Sequence, residues 1–302
     1  MATLWSPICD QLGIKVPIFG FAHDIATVAA ISNAGGYGVY GATRRFPDEI
    51  TQELAQIKAL VGERPFGVDL VLPPGMPEHD SREAIEIDIP DEHKAFVQSI
   101  IEQYNIPPAT QPGMRTRFIR SAEIEAAQIQ SVLASPVNMF ACGIGAPAPV
   151  IEAAKAQGMT TLALIGSPHH VARTIAAGVD IIVAQGYDAG AHTGTIGTYS
   201  LVPQIVEAAG NVPVLVAGGV ATGKHIAAAL AMGAQGVWMG TAWLFSEEHQ
   251  GHMHPINTQK LIEAGSGDTV ITRSESGKTF RQVRSGWSQA WEAEGAPAPL
   301  KM

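Results

Sequence analysis

"VPVLVAGGVATGKHIAAALAMGAQGVWMGTAWL", residues 212–244, contains two short apolar runs that each end in a glycine-containing turn. The runs predict strands at residues 213–216 and 236–239, and the alanine-rich segment between them predicts a helix. Their apolar residues are nearly continuous, which is typical of parallel strands buried on both faces. This stretch therefore predicts a β-α-β unit, and the same switch should recur if the whole chain is built this way.

The switch from apolar run to turn to helix does recur and predicts eight strands. They are residues 16–19, 38–40, 66–70, 137–140, 160–164, 181–184, 213–216 and 236–239. Predicted helices include residues 25–33, 47–60, 149–157, 168–177, 199–209 and 223–232. Eight units favour the α/β class and a closed (β/α)8 barrel, the TIM barrel, over the alternative of an open doubly wound sheet.

The 302 residues suit one such barrel, so we expect residues 1–302 to form a single domain. Residues 73–120, rich in proline and charge, exceed an ordinary β-α connection. They should rise from the C-terminal rim as a lid or substrate-shaping insertion, with a functionless surface excursion as the alternative. Residues 245–302 predict an irregular C-terminal extension, in which Trp287 and Trp291 share one helical face and pack on the barrel exterior.

Composition and charge limit the possible partners and locations. A net charge of −9 argues against nucleic acid and anionic membranes as partners, because both require clustered lysine and arginine. Only two cysteines occur, without a CxxC pair, which suits a reducing compartment and predicts a cytoplasmic location. The sequence has no secretory leader pattern and no long apolar stretch, and it leaves a homodimer open.

The turns after the last two strands predict a phosphate site. Gly218 and Gly219 follow the seventh strand, and Gly240 and Thr241 follow the eighth. In barrels these two loops commonly bind phosphate through main-chain amides, and glycine allows the anion a close approach. Tight turns without a ligand are the alternative.

A third glycine-rich loop, "VAQGYDAGAHTGTIG" at residues 183–197, follows the sixth strand. It carries one side chain that exchanges protons near neutral pH, His192. On the rim beside the phosphate loops, His192 could act as a general base or donate a hydrogen bond to an anionic substrate. The alternative is a histidine that only braces the loop.

Several motifs together resemble the nitronate monooxygenase (2-nitropropane dioxygenase) family. They are "SNAGGYGVYGA" at residues 32–42, "FGVDLVLP" at 66–73, "AGVDIIVAQGYDAGAHTG" at 177–194, and the stretch at 212–244. The resemblance implies an FMN-binding TIM barrel that oxidises nitronates or nitroalkanes with dioxygen to a carbonyl compound and nitrite. It also implies a small-molecule substrate as the partner.

The resemblance assigns roles to individual residues. It places His192 at the catalytic histidine of the family, in "AGAHTG" where relatives usually have "AGGHxG". The FMN phosphate would be bound at Gly218, Gly219, Gly240 and Thr241, and Asp69, Gln185, Gly190 and Ala191 would lie near the isoalloxazine ring.

The first rim loop, "PIFGFAHDIATVAA" at residues 17–30, departs from the family pattern. Gly20, Phe21 and Ala22 would therefore border the flavin differently from the Gln-Gly-Gly-Met type segment of relatives. His23 could contact the substrate, or it could cap or pack against the following helix. Residues 165–167 supply no lysine to the flavin, unlike some family members.

Two further groups of residues admit chemical roles. Cys142 follows the fourth strand, where it could contact substrate as a nucleophile, but no neighbouring base is evident and a small packing residue is the alternative. His249, His252 and His254 lack the spacing of a metal motif, so we expect a solvated loop and no metal site.

Three other functions remain open at this level. The same flavin barrel could serve an NAD(P)H:quinone reductase or an enoyl-thioester reductase, with NAD(P)H entering from the rim. A barrel of the inosine-monophosphate dehydrogenase type would use Cys142 as its nucleophile. A flavin-binding protein without turnover is the non-enzymatic alternative.

Overall fold

The computed structural model describes residues 4–78, 86–111, 113, 117–118, 120–249 and 252–300. Eight parallel strands form a closed barrel in the order β1-β2-β3-β4-β5-β6-β8-β9. Their bounds are β1 Ile18–Ala22, β2 Tyr37–Gly41, β3 Phe66–Val71, β4 Met139–Gly143, β5 Thr160–Ile165, β6 Ile181–Gln185, β8 Val214–Ala217 and β9 Gly236–Met239. The short β7, Ala191–His192, lies outside the barrel.

The TIM-barrel prediction is confirmed. All eight predicted strands are present, most of them shifted by one or two residues at an end. The first and last strands pair in parallel, with Phe19 opposite Trp238, so the sheet closes on itself. An open doubly wound sheet is therefore excluded.

Helices follow most of the barrel strands. They are α1 Pro7–Leu12, α2 Ile25–Ala34, α3 Pro47–Val61, α4 Asp91–Gln103, α5 Ala122–Leu133, α6 Ala148–Ala156, α7 Val171–Ala176, α8 Thr198–Ala209, α9 Gly223–Ala231, α10 Pro255–Glu263 and α11 Gly286–Glu292. The Asp24 side chain caps α2 by accepting a hydrogen bond from the Thr27 amide, and Gly35 ends this helix at φ +98°. Within the described ranges, no helix is both long and apolar enough to cross a membrane.

Side chains of the strands alternate between two apolar layers. One set fills the barrel interior, where Phe19 stacks on the fully buried Tyr37 at 5.3 Å between ring centroids. The next residue along each strand packs outward against the helices, as Tyr40 and Leu70 do. This alternation decides which side chains at the strand ends face the barrel mouth.

The region predicted as an insertion contains α4, whereas residues 79–85, 112, 114–116 and 119 lie outside the described part of the chain. Trp291 of α11 packs edge-on against Phe96 of α4 at 4.8 Å, and His93 Nε2 donates to the Ala298 carbonyl at 2.9 Å. Trp287 and Trp291 do share a helix, as predicted. The prediction that they pack on the barrel exterior is wrong for Trp291, because its ring contacts the insertion helix.

The C-terminal extension is not irregular, contrary to the prediction. Beyond α10, strands β10 Thr269–Thr272 and β11 Phe280–Val283 form an antiparallel hairpin, and α11 follows. β11 also pairs with β7, with Phe280 opposite His192, which returns the extension to the barrel mouth. Both hairpin strands are only half-buried and depend on this distant pairing, so they have no strong local signal in the sequence.

Candidate active site

Three of the predicted site residues lie near the C-terminal ends of barrel strands, with their side chains turned to the interior. Val68 and Leu70 pack outward against the helices, so Asp69 between them faces the barrel mouth. By the same alternation Gln185 faces the mouth after the outward-packed Ala184. Phe21 faces it from β1 and stacks on Trp238 at 5.8 Å. The mouth therefore combines an aromatic ring, a carboxyl group and an amide.

The turns after β8 and β9 lie at the same end of the barrel and meet the same segment, residues 188–190. Gly218 and Gly219 have φ values of +103° and +73°, which favour glycine. A Cβ on Gly219 would lie 3.4 Å from Asp188 Cβ, and one on Gly190 would lie 3.0 Å from Thr241 Oγ1. The three glycine-containing segments thus lie against one another and form one main-chain surface at this end of the barrel.

This surface retains unused hydrogen-bond donors. Among the described residues, the amides of Gly219, Val220 and Thr241 donate no hydrogen bond, whereas those of Ala221 and Thr222 point to His225 Nδ1 at 3.1 and 3.3 Å. Amides without an internal partner at a turn before a helix are suited to bind a phosphate group. The observation favours an anion site over tight turns that serve only the fold.

His192 is positioned by residues that are distant in sequence. Its Nε2 lies 2.7 Å from Ser276 Oγ, and its ring packs at 90° on Phe280 with centroids 5.0 Å apart. Gln185 Nε2 donates to the His192 carbonyl at 3.1 Å. The imidazole is therefore held by the C-terminal hairpin on one side and linked through its backbone to the end of β6 on the other.

A cavity of about 1370 Å³ lies beside His192 over the ends of β3 to β6. Gln185 and His192 line it together with residues 72–76 at the base of the predicted insertion, residues 144–148 after β4, and the turn between β10 and β11. The glycine turns after β8 and β9 do not line it. The histidine thus belongs to a large cavity whose walls include both the insertion and the extension.

Ala191 has a left-handed backbone, with φ +64°, a conformation that glycine adopts more readily than alanine. A non-glycine residue in this region is strained by about 1–3 kcal/mol, partly offset by the greater flexibility of glycine in the unfolded chain. We expect Ala191→Gly to raise the free energy of unfolding by about 1 kcal/mol in urea titrations. Ala293→Gly, at an exposed position with φ −70°, is the matched control and should lower it, and a loss of stability in Ala191→Gly would contradict the strain.

Burial raises the pKa of Asp69 to about 7, although the positive charge of Arg120 opposes the shift. The side chain is 5% exposed and accepts no hydrogen bond within the described residues. A carboxyl group in this state can hold its proton near neutral pH, as groups at catalytic sites often do.

The Asp69 shift predicts a pH dependence of stability. Between about pH 4 and 7 the folded protein keeps a proton that the unfolded chain has released, so this group makes stability fall as pH rises through that window. At pH 8 we expect Asp69→Asn to be about 2 kcal/mol more stable than the wild type, with a smaller difference at pH 5. Urea titrations at both pH values measure this, and equal differences at both would reject the raised pKa.

Gly20, Ala22 and His23 of the first rim loop are placed differently from Phe21. A Cβ on Gly20 would meet Ile31 and Trp243, and Ala22 packs in the outer layer. Neither position therefore points to the barrel mouth. His23 Nδ1 donates to the Gly41 carbonyl at 2.9 Å and its ring packs edge-on against Phe21. Asp24, not His23, caps the following helix.

Cys142 is fully buried and packs in the outer layer among the helices rather than toward the mouth. Burial, assisted by the nearby Asp69 carboxyl group, raises the pKa of its thiol far above the ordinary value. A thiol without thiolate character is a poor nucleophile. The structure therefore favours the packing alternative and gives no support to an attacking cysteine.

The prediction of a solvated loop is wrong for His249. This side chain is 8% exposed, and its Nδ1 lies 2.7 Å from Asp24 Oδ2, whereas His252 and His254 are more exposed. A contact between the 3₁₀ turn at residues 247–249 and α2 explains the burial. No group of three or more His, Cys, Asp or Glu side chains with metal-binding geometry occurs in the part of the chain that the structure describes.

Sequence reasoning missed the residues that hold His192. Ser276 lies 84 positions away, in a segment predicted to be irregular, and Phe280 belongs to the undetected hairpin. The missed hairpin also supplies Arg273 and Lys278 to the cavity wall. A polar turn at "RSESGKT", residues 273–279, is the only local signal.

Comparisons with known proteins extend over nearly the whole chain. A family model described as nitronate monooxygenase matches residues 7–302. A Mycobacterium tuberculosis protein named as a candidate monooxygenase is 40% identical over 305 residues, covering 98% of this chain and 80% of that protein. A Staphylococcus haemolyticus protein named "Probable nitronate monooxygenase" is 32% identical over 317 residues, covering 97% and 83%.

Two solved structures share the arrangement. A nitroalkane oxidase from Streptomyces ansochromogenes matches with a TM-score of 0.78 and 27% identity, over 97% of this chain and 82% of that chain. FabK from Thermotoga maritima matches with a TM-score of 0.73 and 25% identity, over 97% and 80%. These matches extend beyond the barrel strands and include most of the C-terminal extension.

Proposed function

The chain belongs to the nitronate monooxygenase family of flavin-dependent oxidoreductases, and we propose that it uses FMN to oxidise nitronates or nitroalkanes with dioxygen. The products would be a carbonyl compound and nitrite. Membership in this family makes the chain an oxidoreductase, which argues against both the non-catalytic alternative and the inosine-monophosphate dehydrogenase type. Its two free, buried cysteines support the further proposal of a cytoplasmic location.

The unused amides of the last two turns support FMN as the flavin. Gly218, Gly219, Gly240 and Thr241 would hold its phosphate at this main-chain surface, which has no side chain in the way at the three glycines. Phe21, Asp69, Gln185 and the main chain of Gly190 and Ala191 would border the ring. The cofactor, when bound, supplies the electron transfer that links the substrate to dioxygen.

His192 would act on the substrate. It would donate a hydrogen bond to the oxygens of an anionic nitronate, or remove the α-proton of a neutral nitroalkane. Ser276 Oγ at 2.7 Å and the perpendicular Phe280 ring would keep the imidazole in one orientation, as positioning residues. His23 and Cys142 have weaker support as substrate contacts, because His23 is bonded to Gly41 and Cys142 faces the helices.

The observation that carries this proposal is the position of His192 on the wall of the large cavity, linked to the end of β6 through Gln185. The same cavity could serve the alternative reductase activities, because its volume admits more than a small nitroalkane.

Aerobic turnover of the purified protein tests the proposal. Nitrite release and dioxygen uptake with alkyl nitronates are expected without added NADH or NADPH. In a parallel assay, anaerobic loss of the flavin absorbance with NADH or NADPH, followed by quinone reduction, would support the reductase alternative. Quinone reduction without any nitrite release would reject the proposed function.

A further inference from the structure

A buried pair of ionisable side chains, Asp24 and His249, has no part in the proposed reaction. His249 Nδ1 lies 2.7 Å from Asp24 Oδ2, and the two side chains are 10% and 1% exposed. Because a carboxylate oxygen only accepts, the imidazole donates this hydrogen bond from Nδ1. His249 Nε2 is buried and has no partner within the described residues. The bond to Asp24 is therefore the polar contact that holds this imidazole in place.

Asp24 uses its two carboxylate oxygens for two different contacts. Oδ1 accepts from the Thr27 amide at 2.8 Å and caps α2, whereas Oδ2 accepts from His249. A second histidine, His252, is half exposed, and its Nε2 lies 3.9 Å from Oδ1, too far for a hydrogen bond. The bond to His249 can therefore be removed while the helix cap is kept.

His249 ends a run of turns that begins at the proposed phosphate site. The Trp243 amide donates to the Gly240 carbonyl at 3.0 Å, and the Ser246 amide donates to the Trp243 carbonyl at 3.0 Å. The His249 amide then donates to the Ser246 carbonyl at 3.3 Å. Each turn is thus bonded to the one before it, so fixing His249 limits how far Gly240 can move.

Asp24 lies two residues beyond the end of β1, the strand at the other side of this contact. Phe21 of β1 faces the barrel mouth and would border the flavin ring. The segment after β9 also packs directly on β1, because a Cβ on Gly20 would lie 2.9 Å from Trp243 Nε1. The hydrogen bond between Asp24 and His249 therefore joins the segment that would border the ring to the segment that would hold the phosphate.

We propose that Asp24 and His249 are positioning residues for the flavin, because their hydrogen bond sets the spacing between the ring site and the phosphate site. FMN would bind both segments at once, so a spacing fixed in advance reduces the loss of freedom on binding. Riboflavin, which lacks the phosphate, would use the ring site alone and would not depend on this spacing. The proposal rests on the proposed function in one respect, that the turn after β9 holds the FMN phosphate.

Titrations of FMN and of riboflavin into the protein, after removal of bound flavin, test this positioning. His249→Leu keeps a similar volume but has no donor. Its Kd for FMN should rise about tenfold, since a hydrogen bond to a charged group contributes at least that factor when its loss is fully transmitted. Asp24→Ser removes the acceptor but keeps a good helix cap, and it should give the same result. The Kd for riboflavin should stay within about twofold of the wild type in both variants.

Two further variants separate the hydrogen bond from the volume and the charge of the imidazole. His249→Asn keeps an N–H donor close to the position of Nδ1, so it should retain the wild-type affinity for FMN. A residue that only fills space would not be rescued in this way. His252→Leu removes the neighbouring imidazole, which forms no hydrogen bond with Asp24, and it should also retain that affinity.

Wild-type FMN affinity in either folded variant, His249→Leu or Asp24→Ser, would overturn the proposal. An equal loss for FMN and riboflavin would overturn it as well, because it indicates general damage to the barrel. If the wild type binds FMN no more tightly than riboflavin, the phosphate site has failed, and the positioning fails with it. Circular dichroism of each variant shows whether it is folded, and if one of the two is not, the other decides.

Discussion

Replacing His192 with asparagine should leave FMN bound and reduce kcat by about 10²–10⁴, the usual contribution of a positioned acid or base. Turnover falls because the asparagine amide cannot accept the α-proton of a nitroalkane. It would also donate its hydrogen bond to a nitronate from a different position than the imidazole. The flavin stays because the proposed phosphate site is built from main chain after β8 and β9 and does not include the imidazole. Nitrite release and the flavin absorbance spectrum measure the two effects on one sample.

Two variants control this result. His169→Asn makes the same replacement at an exposed histidine that does not line the cavity, and it should retain wild-type kcat. Ser276→Ala removes the partner at 2.7 Å but keeps the imidazole, so its loss should be smaller, about tenfold. Wild-type turnover in His192→Asn would mean that the histidine only braces its loop.

The barrel could be predicted from sequence because its signals are local. Each strand is a short apolar run that ends in a turn, and α2 and α3 are bounded by Asp24, Pro47 and glycines. Uninterrupted apolar runs such as residues 181–184 indicate burial on both faces, and all four of these side chains are buried in the structure. The closed barrel, in turn, could be predicted from the number of strand-helix units alone.

The surroundings of His192 could not be predicted in the same way. Its partners Ser276 and Phe280 belong to half-buried strands and a polar turn, which resemble an ordinary surface loop when read alone. They become ordered by pairing with a two-residue strand far away in sequence. The burial of His249 against Asp24 was missed for the same reason, because only the folded chain brings the two together.

The alternation of side chains between the two faces of β1 changes which residues border the barrel mouth. The sequence grouped Gly20, Phe21 and Ala22 as one border of the flavin, but consecutive residues of a strand point to opposite faces. Only Phe21 faces inward, where it stacks on Trp238. The predicted strand ends at residue 19, three residues before the end of β1, so the prediction assigns residues 20–22 to a loop.

A carboxylate placed in the proposed phosphate site should release FMN. Gly240 has φ −118°, which any residue adopts, and a Cβ there would lie 3.7 Å from Phe21 Cδ1, an ordinary contact. Gly240→Asp should therefore fold, but it would place a negative charge beside the phosphate at a cost of about 3 kcal/mol, roughly a hundredfold in Kd. Gly240→Asn has nearly the same shape without the charge and serves as the matched control.

The FMN and riboflavin affinities of these two proteins, after removal of bound flavin, test the central claim that the turns after β8 and β9 hold the cofactor by its phosphate. Fluorescence titration should give a roughly hundredfold weaker Kd for FMN in Gly240→Asp than in Gly240→Asn. Riboflavin, which lacks the phosphate, should bind both alike. Equal FMN affinities in the two variants, or an equal loss for riboflavin, would contradict a phosphate held at these turns.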